Sequence, residues 1–345
     1  RLRVALESPC ATCATSPCCT HLPLTTFQVT NLLELDHALY LLNFDHIELG
    51  ISASGEWSAY YTYPCRYLNR ATFECSVHNT PQQPKICVHY NPYNCWYKRS
   101  FSDGQSEEFV RIDRVRLSLL LDHIEFDQER RITSVPDWDT LVEMMRGFGD
   151  RPRPVAPVGS YGDAVFDGWA EMVVGSVQAP TAVEPLSFDQ LQDPCEGCAA
   201  YCCTTLVFPQ GMPTHVSNLD YYRFCLGFPG VELGVADGQW SVIVRTTCRH
   251  LQDRRCSVYG QEERPLLCRY YDAWKCDYKP QFGQARPAAF MRVRLEQWEW
   301  LAASLPYDEH GSILAIPPIE ELRLSVEAQW KARGAVEIIP LMVME

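Results

Sequence analysis

No apolar run in this chain approaches the ~18–20 residues that a membrane-spanning helix requires, and no run of Lys and Arg exceeds a few residues. The N-terminus has no apolar stretch followed by a small-residue cleavage site, so no secretory signal is read there. Residue 1 is Arg rather than Met, which leaves open a targeting segment removed before it. The net charge of -13 excludes a general affinity for nucleic-acid phosphate, which needs a surplus of Lys and Arg on one face. Catalytic signatures are missing as well: there is no Gly-rich loop after a strand to cradle a nucleotide, no Gly-x-Ser-x-Gly and no His-Glu-x-x-His. A cytoplasmic protein with no transmembrane segment and no nucleic-acid partner is expected, and whether it is an enzyme stays open.

What the chain does have is cysteine. Seventeen occur in 345 residues, below the roughly 8–10% of a disulfide scaffold and odd in number. Sixteen of them form two copies of one eight-cysteine pattern. The first copy is Cys10, Cys13, Cys18 and Cys19, then Cys65, Cys75, Cys87 and Cys95. The second is Cys195, Cys198, Cys202 and Cys203, then Cys248, Cys256, Cys268 and Cys276. In both, eleven residues separate the sixth cysteine from the seventh and seven separate the seventh from the eighth. Cys225 is left over and reads as core, since Leu41 or Leu42 takes its place in the first copy.

The duplication extends beyond the cysteines. Ile47 to Trp57 matches Val231 to Trp240, and Cys65-Arg-Tyr-Leu68 matches Cys248-Arg-His-Leu251. Phe109-Val-Arg111 matches Phe290-Met-Arg292, and the same 181-residue offset relates Phe126-Asp127 to Tyr307-Asp308 and Val135-Pro136 to Ile316-Pro317. The pattern predicts two tandem α+β domains, 1–148 and 186–330, a proline-rich linker with a short helix over 149–185, and an apolar tail over 331–345. Asn31-x-x-Glu34 and Ser217-x-x-Asp220 read as helix caps, with helices over about 31–43 and 218–226. Alternation over Ile47 to Tyr63 and Val231 to Val244 predicts a β-hairpin in each unit, whose core Trp57 and Trp240 fill. The cysteine-rich second half reads as loop, broken by Pro81, Pro84, Pro92 and Pro265. A long amphipathic helix over about 108–125 and 289–304 follows, then a shorter one after Pro136 or Pro318. Val165, Phe166, Trp169, Met172, Val173 and Val177 mark the short linker helix. Asp127 and Asp308 precede turns, where aspartate caps are common.

Thiolate is the form of cysteine that binds metal, and several held together need a cation to neutralise them. Cys195-x-x-Cys198 puts two sulfurs on one turn, whereas the side chains of adjacent Cys202 and Cys203 diverge, so that one completes a site and the other serves a second. Eight thiols per repeat suit two four-thiolate sites, holding zinc or an iron–sulfur cluster. Arg66, Lys85, Lys98, Arg249, Arg254, Arg255, Arg269 and Lys275 lie beside these cysteines, either to offset their charge or to solvate the loops. Disulfide pairing in an oxidising compartment is the competing account. His21 and His250 sit near the cysteines but are not repeated, and a structural role is expected for both.

At Cys-x2-Cys-x3-Cys-Cys, followed by Cys248-Arg-His-Leu251, Cys256-Ser-Val-Tyr259 and Arg264-Pro265-Leu-Leu-Cys268, the chain resembles the YkgJ-like cysteine-cluster family, described as a zinc- or iron-chelating domain. Repeat one is looser, with four residues between Cys13 and Cys18, nine between Cys65 and Cys75, and Gln83-Pro84 in place of Arg-Pro. The resemblance implies metal binding, not a reaction, and a related cluster in flagellin lysine methylases leaves a redox or methyl-transfer role open by analogy. The expectation is a metal-binding scaffold or binding module within a larger protein assembly; the alternative is an iron–sulfur redox protein or a component of a methyl-transfer-type enzyme.

Overall fold

The structure is a computed structural model that describes residue 13 and residues 16–101, 108–146, 198–283 and 287–336. The expected linker and its helix, and the tail beyond 336, lie outside the described residues. Repeat one runs β1 (Leu22–Phe27), α1 (Leu32–Leu41), β2 (Ile47–Ser52), β3 (Trp57–Tyr61), α2 (Lys85–His89), α3 (Trp96–Phe101), β4 (Phe109–Ile112), α4 (Arg114–Leu121), β5 (Glu125–Phe126), β6 (Ile132–Ser134) and α5 (Trp138–Arg146). Repeat two runs β7 (Thr205–Gln210), α6 (Val216–Leu226), β8 (Val231–Ala236), β9 (Gln239–Arg245), β10 (Leu251–Gln252), β11 (Arg255–Cys256), α7 (Leu266–Arg269), α8 (Tyr278–Phe282), β12 (Met291–Val293), α9 (Leu295–Ala303) and α10 (Ile319–Val336).

Each repeat builds one antiparallel four-stranded sheet of the same order, β1-β3-β2-β4 and β7-β9-β8-β12. The mixed α+β class and both hairpins match the sequence expectation. One sheet face looks into a single core that draws on both repeats, from Leu35, Leu49 and Leu117 to Leu219, Trp240 and Leu301. The other face carries a separate aromatic cluster, Tyr60, Phe101 and Phe109 in repeat one and Ile243, Phe282 and Phe290 in repeat two. A close approach makes this possible. A Cβ on Gly50 would lie 1.9 Å from the Phe109 ring and one on Gly234 within 2.9 Å of the Phe290 ring, so the outer end of the ring occupies the space a side chain would fill in both sheets.

Three expectations are corrected. The long helices over 108–125 and 289–304 are each a strand followed by a helix: Phe109-Val-Arg-Ile112 has the two-residue period of an edge strand and pairs with β2. Asp113 then caps α4 by accepting from the Arg116 amide at 2.8 Å. In repeat two, Met291–Val293 pairs with β8, and Phe290 belongs to the aromatic cluster instead of a helix stripe. The Ser217-x-x-Asp220 cap is also displaced. His215 caps α6, accepting from the Ser217 amide at 3.1 Å, while Asn218 returns a bond to the His215 amide at 3.1 Å. The Asn31 cap stands, with its side chain accepting from the Glu34 amide at 3.0 Å. The helix after Pro318 runs 18 residues rather than being short, its first amide held by Asp237 at 3.1 Å.

Because one core serves both repeats, damage to one is expected to melt both. Trp240→Ala, at a fully buried site, is expected to cost about 3–5 kcal/mol. Calorimetry should show one lowered transition for the whole chain; two transitions of which only one moves would contradict a shared core.

Candidate metal centre

In each repeat the cysteines are positioned by three pieces of backbone. A 3-10 turn, Pro17–Cys19 or Tyr201–Cys203, follows a residue in the left-handed region, Ser16 (φ 39) or Ala200 (φ 56). The chain leaving the hairpin docks on that turn: the Cys65 amide donates to the Cys19 carbonyl at 2.7 Å and the Cys248 amide to the Cys203 carbonyl at 2.8 Å. A short ladder then returns the chain, through a Leu68–Cys75 bridge in repeat one and β10–β11 in repeat two, where Leu251 pairs with Cys256. Ser16 ties the first turn to this loop by donating to the Phe73 carbonyl at 2.7 Å. Cys87 and Cys268 come from α2 and α7, which begin directly after Pro84 and Pro265.

The thiols so placed act on one another. Burial pushes Cys87 up to about 12, and the charges of Cys18, Cys65 and Cys75 add to it. Burial likewise pushes Cys268 up to about 12, with Arg264 opposing and Cys202 and Cys248 adding. The vicinal thiols hydrogen-bond to each other. Cys203 donates to Cys202, which together with Arg264 draws Cys202 down to about 7 against its burial, and Cys203 itself is raised. Cys19 and Cys18 repeat this, with Cys18 lowered. Backbone amides also point at sulfur: those of Tyr67 at Cys65, Val77 and His78 at Cys75, and His250 at Cys248. Each such bond favours the thiolate.

The resulting sets are Cys18, Cys19, Cys65, Cys75 and Cys87 in one repeat and Cys202, Cys203, Cys248, Cys256 and Cys268 in the other. They are electrostatic neighbours, not a closed cage. Among the described residues no group of three or more Cys, His, Asp or Glu side chains has metal-holding geometry, and no disulfide joins the described cysteines. Cys95 and Cys276 accept from the Tyr90 and Tyr271 hydroxyls. Cys13 and Cys198 are half-buried ahead of the turns, and Cys10 and Cys195 lie outside the described residues. Cys225 is core, 2% exposed, and its thiol is pushed up to about 12 by burial.

His21 stacks on Phe101 at 4.0 Å with Nδ1 2.9 Å from Thr20 Oγ1. Burial first, then the Arg114 and Arg249 charges, lower His250 below the usual imidazole range. Of the expected basic neighbours, Arg66 pairs with Glu296 at 3.0 Å and Lys275 with Asp272 at 3.5 Å. The cation beside the second thiol set is Arg264, which lies 4.4 Å over the Tyr259 ring with its Nε buried and without a hydrogen-bond partner. Arg114, which sequence reading passed over, acts on Cys248 in the same sense.

Sequence reading also missed that each cluster has a wall from the other repeat. Asp36 on α1 accepts from the Leu267 amide at 3.3 Å, and Asp220 on α6 accepts from the Ile86 amide at 3.1 Å. The Arg249 amide donates to Asn43 at 2.8 Å and the Arg66 amide to Gly227 at 2.9 Å. Tyr40 of repeat one bonds Tyr278 and lies in the field of Cys202, Cys203 and Cys268. The signal was present: Asp36 and Asp220 share the 184-residue offset of Ile47 and Val231, as acids on a helix face between buried leucines. Scans of family models, of curated proteins and of solved structures return no match for this chain.

Alkylation of the reduced, metal-free chain checks this electrostatic picture, since only the thiolate reacts. Cys202 is expected to reach half its maximal rate near pH 7, while Cys225 stays unmodified at pH 9. Equal profiles at the two positions by peptide mass spectrometry would contradict it.

Proposed function

We propose that this chain is a metal-binding scaffold that holds zinc or an iron–sulfur cluster through the thiolates of both repeats and works within a protein assembly. The observation that carries the reading is the duplicated gathering of thiols, Cys18, Cys19, Cys65, Cys75 and Cys87 against Cys202, Cys203, Cys248, Cys256 and Cys268, half-buried except for the exposed Cys87. Burying such thiols together without a cation leaves them protonated and mutually opposed, as the raised Cys87 and Cys268 are. A bound cation reverses that balance by replacing their protons. The donor set fits: soft sulfur ligands, amide bonds to sulfur and a nearby guanidinium suit zinc and an iron–sulfur cluster alike. The same reading supports the likeness to YkgJ-like cysteine-cluster domains, while catalysis has no comparable support.

A place among other proteins is supported by Tyr93 and Trp274, 77% and 67% exposed at equivalent positions beside the clusters. Aromatic side chains left this open are characteristic of protein-binding surfaces. A partner captured by the full chain is expected to be lost from the Tyr93→Ala, Trp274→Ala double variant; equal capture would remove these tips from the interface.

Metal analysis of the full chain, purified reduced and without oxygen, tests the main reading. Zinc in a colourless sample identifies a zinc scaffold, and iron with sulfide and absorption near about 400 nm identifies a cluster. Cys268→Ser is expected to lower metal content and cost more than about 2 kcal/mol, with Cys225→Ser leaving metal content unchanged. A chain that retains neither zinc nor iron overturns the proposal.

A further inference from the structure

We infer that the two cysteine clusters form a coupled pair, in which Asp36 and Asp220 are positioning residues that each fix the metal-ligating helix of the opposite repeat; this rests on the metal-binding reading above. Cys87 and Cys268 lie on helices of one turn, α2 and α7, that begin after proline and have no side-chain cap of their own. The free amides of such a helix need an acceptor. Asp220 supplies it to Ile86 at 3.1 Å, and Asp36 to Leu267 at 3.3 Å. The second contact is equally reciprocal. Cys65 is steadied through the Arg66 amide on the Gly227 carbonyl, and Cys248 through the Arg249 amide on the Asn43 carbonyl. Gly227 also lies against sulfur, since a Cβ there would be 3.4 Å from Cys65 Sγ.

Two thiols of cluster one, at Cys65 and Cys87, are thus held by α6 and the residue that ends it, and two of cluster two, at Cys248 and Cys268, by α1 and Asn43. Both clusters are complete only when the repeats are docked. A ligand that binds one cluster favours the docked arrangement, and that arrangement is what the other cluster requires. Metal at either cluster therefore raises the affinity of the other, and by linkage the effect is mutual.

The full chain serves for both tests. In its reduced, metal-free form, Asp220→Ala is expected to speed alkylation of Cys87 about tenfold and leave Cys268 unchanged, the equivalent of one lost buried hydrogen bond. Asp36→Ala should do the reverse. Asp220→Asn, which keeps an acceptor oxygen, should restore the slow rate, and circular dichroism verifies that each variant is folded. An effect on the variant's own repeat, or none, overturns the positioning role whether or not metal binds. In zinc titrations against a chromophoric chelator, Cys87→Ser is expected to weaken binding at the intact second cluster about tenfold. Unchanged affinity there overturns the coupling, whereas absence of any zinc or iron in the unmodified chain overturns the metal reading alone.

Discussion

A helix of one turn that starts after proline has no capping side chain of its own, and in this protein the missing acceptor comes from the other half of the molecule. Asp36 and Asp220 satisfy the first amides of α7 and α2, and the position of Cys268 and Cys87 follows from those two bonds. The arrangement constrains the aspartates in turn. To reach across, Asp36 is buried to 2% exposure, and burial pushes its carboxyl up to about 7 although the Leu267 and Leu266 amides and Arg269 pull the other way. A carboxylate held at such cost is compensated by what it positions. The reciprocal pairing, residue i of one repeat on residue j of the other and back, is the isologous contact of a twofold dimer made within one chain.

The sheets make that contact possible by leaving nothing else to cover. With Phe109 and Phe290 laid over Gly50 and Gly234, each sheet closes its outer face with its own aromatic cluster. Its inner face is then free to join one common core. Loops that carry the thiols lie at the edge of this unit, where the helices of the opposite repeat reach them. The core thus fixes the relation of the two halves, and the cross-repeat hydrogen bonds transmit it to the sulfurs.

Much of the fold was readable in the sequence because its signals are local. The alternation around Trp57 and Trp240, the Asn31 cap and the buried Cys225 needed no knowledge of tertiary contacts. The strand at Phe109 was hidden because Phe290, Val293, Leu295, Trp298 and Leu301 can be aligned to a helical stripe when β12 and α9 are read as one segment. Strand and helix share a short apolar run, and only the pairing with β8 separates them. The cap of α6 was misplaced for a different reason. Asp220 has the spacing of a capping acid, but its partner, the Ile86 amide, lies 134 residues away. Periodicity cannot report a contact of that kind, whereas repetition at a constant offset can. The sixteen repeated cysteines were legible as two sets, yet spacing does not reveal that Cys95 and Cys276 are bonded by tyrosine hydroxyls.

The two thiol sets are alike in plan and unequal in charge. In repeat two the residue before the helix proline is Arg264, whose guanidinium helps draw Cys202 down and opposes the rise of Cys268. Its counterpart in repeat one is Gln83, a buried side chain that accepts from the Asn79 amide at 2.7 Å and so shapes the loop without supplying charge. Cys87 there meets three thiols and Asp220, all of which raise it further. Repeat one is not without compensation, since the Arg66 charge draws on Cys65 as Arg264 does on Cys202. The aspartate that holds each helix across the repeats also opposes ionisation of the cysteine on it, Asp220 at Cys87 and Asp36 at Cys268, so position is gained against charge in both sets.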